Sequence, residues 1–251
     1  MSSTRNVGIG DVLWGIRGNI LVNVSKSVDD QNEVPGAPIW LIHGAFDSLP
    51  RVGNHWRGAD DVRAHIKKLF GYEYYMPRWG GLPSQSSIHR GARTIAQQII
   101  RWRRLNQGTP LILIGYSHGG NVNKGIVNIL DRNDPPIFVN TMINIGTPIM
   151  KGLFTISAKV GQHINVFNPY DAIQRLGSVH SAPIEGAEIE TGIPMRGLVI
   201  PEDPRWYDGA VNVPVQLLDS SGPLERHDFM HSSVSVWKNY IQRYLELPPP
   251  N

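Results

Sequence analysis

Ser117 stands between Gly115 and Gly119 in the run LILIGYSHGGNV, residues 111–122. A serine in that setting has two readings. It is the N-cap of a helix that follows a strand, a role serine fills often, or it is a nucleophile carried on a tight strand-to-helix elbow. The bare Gly-x-Ser-x-Gly spacing decides little in a chain with 26 glycines, so the context has to. Four apolar residues, Leu111 to Ile114, run into Gly115, and a helical pattern opens at Gly119. An elbow lifts the serine oxygen above the sheet edge with a helix N-terminus behind it. Gly115, Gly119 and Gly120 supply the clearance that strand and helix need where they nearly touch.

A nucleophilic serine requires a base, a carboxylate to orient the base, and donors for the developing oxyanion. The segment HGAFDS, residues 43–48, closes an earlier apolar run and offers the backbone N–H of Ala45. The second donor is the N–H of His118, the residue after the serine. In chain order the acid and then the base come after the serine. Asp171 lies in HINVFNPYDAIQ, just past the end of an expected strand, and is the orienting acid. Asp219 also follows a strand and reads as a turn residue. His227, in LERHDFMHSS, reads as a loop residue able to reach inward and is the first choice of base. His231, near the start of the final helix, is the second choice, with capping or packing as its alternative role. The His118 side chain is expected to be a wall and not a base.

Other chemistries lack their residues. The chain has no cysteine, which removes thiolate zinc sites, disulfides and cysteine nucleophiles. No histidine pair has the helix-face spacing of a metalloprotease, and Lys124 does not fit a phosphate loop, so no metal and no cofactor are expected. With 24 Lys and Arg against 21 Asp and Glu, the net charge is +3, no nucleic-acid signature. The dense cluster Arg101-Trp102-Arg103-Arg104 falls late in a helix, where cations suit the negative end of the dipole.

The elements that must carry these residues alternate. PIWLIHG reads as a strand buried on both faces, HWRGADDVRAHIKKLF as a helix and GYEYYMPRWGG as a strand. SIHRGARTIAQQIIRWRRLNQG reads as a long amphipathic helix, with Gly108 just past its end. After the elbow strand and its helix come strands in PIFVNTMINIG, HINVFN and VPVQLLDS, then a last helix in VSVWKNYIQRYLEL. That order implies a mostly parallel central sheet with helices on both faces, an α/β fold. Residues 1–36 read as an N-terminal arm and 37–251 as one catalytic domain. Residues 177–212 are an excursion of the kind that often covers a site. No stretch is long and apolar enough for a membrane span or a signal peptide. The expectation is a soluble protein, cytoplasmic or exported by a route that needs no signal peptide, whose contact with membranes, if it has any, is transient. Oligomeric state is not legible.

These residues together resemble the α/β-hydrolase superfamily over roughly 38–247. IWLIHGAF looks like its oxyanion strand and loop, LILIGYSHGGNV like its nucleophile elbow, and Asp171 and His227 like its later triad positions. GYSHGGNVNKGIVN, MPRWGG and INVFNPYDAIQRLG are similar to lipase-like domains of bacterial polymorphic and contact-delivered toxins. The resemblance implies a serine hydrolase of carboxylic esters, lipid or acyl esters among them; Phe46, Trp79, Leu82 and Phe154 are apolar residues that could line an acyl groove, with core packing the first reading for any one of them. Two alternatives stand beside it: a non-catalytic ligand-binding protein on the same fold, and the same triad acting on amides or thioesters.

Overall fold

The computed structural model describes residues 36–45, 56–149, 156, 158–171, 173–174, 186–189, 193–196, 207–216 and 223–245. Phe46, Phe154, Asp219, the N-terminal arm and most of 177–212 lie outside them. Contacts divide the chain into two units, the larger made of Val34–Ser181 and Asp203–Asn251, the smaller of Met1–Glu33 and Ala182–Glu202. In the smaller unit β6 (Gly186–Ile189) and β7 (Ile193–Arg196) pair antiparallel as a hairpin within the stretch read as an excursion.

The larger unit is built on six strands: β1 (Ile39–Ile42), β2 (Tyr74–Tyr75), β3 (Ile112–Tyr116), β4 (Val139–Ile145), β5 (Val160–Phe167) and β8 (Val211–Pro214). Their order across the sheet is β2-β1-β3-β4-β5-β8, and every neighbouring pair is parallel. A parallel sheet of this kind must be covered on both sides, which is why β1 and β3 are buried at every residue.

Alternation along the strands divides their side chains between two cores. Ile39, Leu41, Ile112, Ile114, Ile143 and Ile145 face Val62 and Ile66 of α1 (Asp60–Phe70) together with Val236, Trp237 and Ile241 near the C-terminus. Trp40, Ile42, Leu113 and Met142 face the other way, onto α2 (Gln85–Leu105) and α3 (His118–Asp131). Helix α2 shows how the sequence dictates this. Ile88, Ala92, Ile95, Ile99 and Trp102 recur at three- and four-residue spacing and are all fully buried. Ser84 caps its start by accepting from the Ser87 N–H at 3.3 Å.

The basic cluster at the end of α2 is more than a solvated face. Trp102 is buried, and the Arg103 guanidinium lies over its ring at 4.8 Å while donating to the carbonyls of Asn106 and Thr109. Those bonds tie down orphan carbonyls past the helix end.

Two helical segments differ from expectation. His227 and His231 both lie on α4 (Pro223–Ser232), so His227 is a helix residue and not a loop residue, and His231 falls in the last turn of α4 and not at the start of the next helix. That next segment, α5, begins as α-helix at Val234–Val236, widens to π-helix over Trp237–Ile241 and tightens to 3-10 at Gln242–Tyr244.

Candidate active site

Ser117 follows β3 directly and precedes the first residue of α3. Its backbone sits at φ 52°, ψ −130°, the one positive φ among the described non-glycine residues. A side chain there is strained by about 1–3 kcal/mol and needs surrounding structure to hold it. Its hydroxyl makes no capping bond to α3, so it does not act as a side-chain N-cap. Instead its N–H donates 2.8 Å to the carbonyl of Ile145 at the end of β4.

The surrounding glycines are there because backbone passes where side chains would be. A Cβ on Gly115 would lie 2.7 Å from the Gly119 carbonyl. One on Gly119 would run into the carbonyl oxygens of Ile42 and His43, and one on Gly120 into the Thr147 side chain. Gly44 lies so close to the serine that a Cβ on it would be 3.0 Å from the Ser117 Cβ. The loop that holds Ala45 is therefore packed against the elbow.

Asp171 and His227 meet from elements far apart in the chain. Asp171 is fully buried just beyond β5. Its Oδ1 accepts from the N–H groups of Ile173 at 2.8 Å and Gln174 at 3.1 Å, and its Oδ2 meets His227 Nδ1 at 2.6 Å. Gln174 steadies that turn, accepting from the Asn168 N–H and donating to the Thr147 carbonyl. His227 is 6% exposed, and its other ring nitrogen, Nε2, has no hydrogen-bond partner among the described residues. The ring packs on Gly146, where a Cβ would lie 3.2 Å from His227 Cε1. Serine and imidazole thus rest on neighbouring residues at the end of β4, the serine N–H on the Ile145 carbonyl and the ring on Gly146.

No protein-family model and no curated protein sequence matches the chain. Solved structures do. The lin2722 gene product of Listeria innocua superposes with a TM-score of 0.53 at 10% identity, over 80% of this chain and 90% of that one. The catalytic core domain of acetyl xylan esterase from Trichoderma reesei gives a TM-score of 0.41 at 14% identity, over 79% and 93%. The parallel order β2-β1-β3-β4-β5-β8, with a strained serine between β3 and α3, decides the matter. The chain has the α/β-hydrolase fold.

On this α/β-hydrolase fold His231 takes a place apart from Asp171. It stacks on Tyr116 with centroids 3.8 Å apart, meets Trp56 edge-on at 5.3 Å, and its Nδ1 is 3.7 Å from Asp228 Oδ1. His118 is buried, with Nδ1 3.3 Å from the Asn121 amide. Among the described residues no group of three or more metal-ligating side chains gathers, and no helix is long and apolar enough to cross a membrane.

Sequence reasoning missed what holds the loop after β1 of this α/β-hydrolase fold. His43 is buried, its Nε2 accepting from the Trp79 N–H at 3.3 Å and its carbonyl from Trp79 Nε1 at 3.0 Å, with the two rings stacked. Trp79, whose first reading was core packing, is buried and braces this loop, while Leu82 is exposed. Also missed was a buried polar band beneath the elbow. Asn123 beside Gly115 donates to Asn144 of β4, and the Asn144 amide meets His163 Nε2 of β5 at 3.1 Å. Nearby, Lys124 is fully buried with Nζ 4.6 Å from the Tyr207 ring centroid. Burial pushes His163 down to about 4, with the Lys124 charge adding to the effect, and burial pushes Lys124 down to about 7. The only sequence signal was the polar asparagines inside otherwise apolar strands and helix.

Proposed function

We propose that the chain is a serine hydrolase of carboxylic esters. Ser117 attacks the acyl carbonyl, His227 takes the proton at Nε2 and returns it to the leaving alcohol, and Asp171 fixes the imidazole and stabilises its cation. The N–H groups of Ala45 and His118 receive the oxyanion, and water then releases the acyl-enzyme. The observation that carries this reading is the His227 imidazole, held through Nδ1 on a buried carboxylate at 2.6 Å with Nε2 left unengaged among the described residues. That arrangement puts the proton on Nδ1 and a lone pair on Nε2, which is the form a general base needs.

The fold alone would equally suit a ligand-binding protein. The strain at Ser117 favours catalysis, since a binding pocket has no use for a serine held at φ 52°. Lipid or acyl esters are the substrate class implied by the sequence resemblance, and the same machinery would act on amides or thioesters. The deciding experiment treats wild type and Ser117→Ala with a fluorophosphonate probe, maps the adduct by mass, and follows hydrolysis of p-nitrophenyl esters of increasing acyl length. Labelling at Ser117 and ester turnover, both absent from the folded variant, are expected. A well-folded wild type that neither labels nor turns over any ester would leave the ligand-binding reading in possession.

A further inference from the structure

The residue before the nucleophile packs against the base, its helix and the loop after β1. Tyr116 is the last residue of β3 and is 2% exposed. Its ring lies 5.0 Å from the His227 imidazole, centroid to centroid, tilted by 40°. One face is covered by His231 at 3.8 Å, nearly parallel. His231 is backed by Trp56, whose Nε1 donates 3.1 Å to the Ile42 carbonyl at the end of β1. The Tyr116 hydroxyl reaches Asp228 Oδ1 at 3.4 Å, on the same helix as both histidines. A Cβ on Gly44 of the oxyanion loop would lie 3.3 Å from Tyr116 Cδ1.

These contacts solve a mechanical problem. The base rides on α4, the nucleophile on β3 and the oxyanion loop on β1, and nothing covalent fixes α4 relative to the sheet. Asp171 restrains the imidazole through one nitrogen, which leaves rotation and tilt about that bond open. A wall is needed on the ring itself. We propose that Tyr116 is a positioning residue: its ring, packed against His231 and the Gly44 loop, fixes the tilt of the His227 imidazole and couples helix α4 to the elbow. This also gives His231 its role, which is to back the tyrosine and not to take protons. The inference rests on the serine-hydrolase reading above.

The ring, and not the hydroxyl, carries the function. At 3.4 Å the bond to a half-exposed Asp228 is long and weak, whereas the His231 ring stacks on the tyrosine at 3.8 Å. Tyr116→Phe therefore keeps kcat within about threefold of wild type, and Tyr116→Leu lowers kcat by about 10²-fold with KM within twofold, the scale of a mispositioned catalytic group. Both are measured with p-nitrophenyl butyrate alongside the rate of fluorophosphonate labelling at Ser117, which should fall in the leucine variant in step with kcat. Tyr116→Met, nearer in volume and also ringless, repeats the comparison if the leucine variant has no cooperative thermal transition. Wild type that labels, with a folded ringless variant that labels and turns over equally fast, overturns the positioning role while leaving the hydrolase intact. So does a phenylalanine variant as impaired as the ringless ones. Wild type that does not label at all refutes the hydrolase reading itself, and the positioning role goes with it.

Discussion

An imidazole whose Nδ1 lies 2.6 Å from a fully buried carboxylate has its tautomer chosen for it. The proton stays on Nδ1, and the basic lone pair is on Nε2. An amide in place of that carboxylate would offer either a weaker acceptor or a donor, and the donor would turn the imidazole into the wrong tautomer. Asp171→Asn should therefore cost about 10⁴-fold in kcat, the size such a change has in serine hydrolases, with the melting temperature altered far less. Steady-state kinetics on folded protein checks this, and a loss under tenfold would mean that Asp171 is not the orienting acid. The sequence showed why Asp171 and His227 could meet, since each lies past a strand in the required order. It could not show how His227 differs from His231. The two are one helical turn apart on α4 and share a face. Only the tertiary packing sends one to Asp171 and the other to the Tyr116 and Trp56 rings.

At the level of elements, the elbow works because helix α3 starts almost on top of β1 and β3. Gly119 is the closest point, with the Ile42 and His43 carbonyls where its Cβ would be. Backbone atoms cannot swing aside as a flexible side chain can. Gly119→Ala is thus expected to destabilise the fold by about 1–3 kcal/mol and to abolish serine labelling by pushing α3 off the elbow. Gly36→Ala, where nothing lies within 4 Å, is the control and should stay within about 0.5 kcal/mol. Denaturant titration of the two variants makes the comparison, and equal stability would show that the close packing is not what the glycine serves. The alternation of buried strands and amphipathic helices was readable because both core patterns are strong. Strand β2, only Tyr74 and Tyr75, is shorter than the stretch that suggested it, since a two-residue edge needs no long β pattern. The change of helix type along α5 was not readable either. Val236, Trp237 and Ile241 are buried, and the pattern they make does not register a change in helix type.

Over the whole molecule, the band of Asn123, Asn144, His163 and Lys124 makes stability depend on pH. His163 is held neutral: its pKa falls to about 4 when folded, against 6.5 when exposed. The unfolded chain then binds more protons than the folded one between those values. Stability from this group is complete above pH 6.5 and lost as pH falls toward 4, by roughly 3 kcal/mol in all. Lys124 adds a slope of the same sign, with stability rising above about pH 7 as the exposed amine would otherwise stay charged. Thermal melts from pH 4.5 to 7 should show a steep rise in wild type and a shallower one in His163→Gln. Identical slopes would mean that His163 does not titrate on unfolding.

The strained backbone of Ser117 has a temporal side. Its φ of 52° survives only while Ile145 holds its N–H and Gly44 packs against its Cβ, so β1, β3, β4 and α3 must all be docked. The register joins Ile39 to Ile112, far along the chain, and contacts of that reach form late because the loop between them must close first. A growing or half-folded chain consequently carries an ordinary, relaxed serine. Whatever reactivity Ser117 has is switched on by the completion of folding itself.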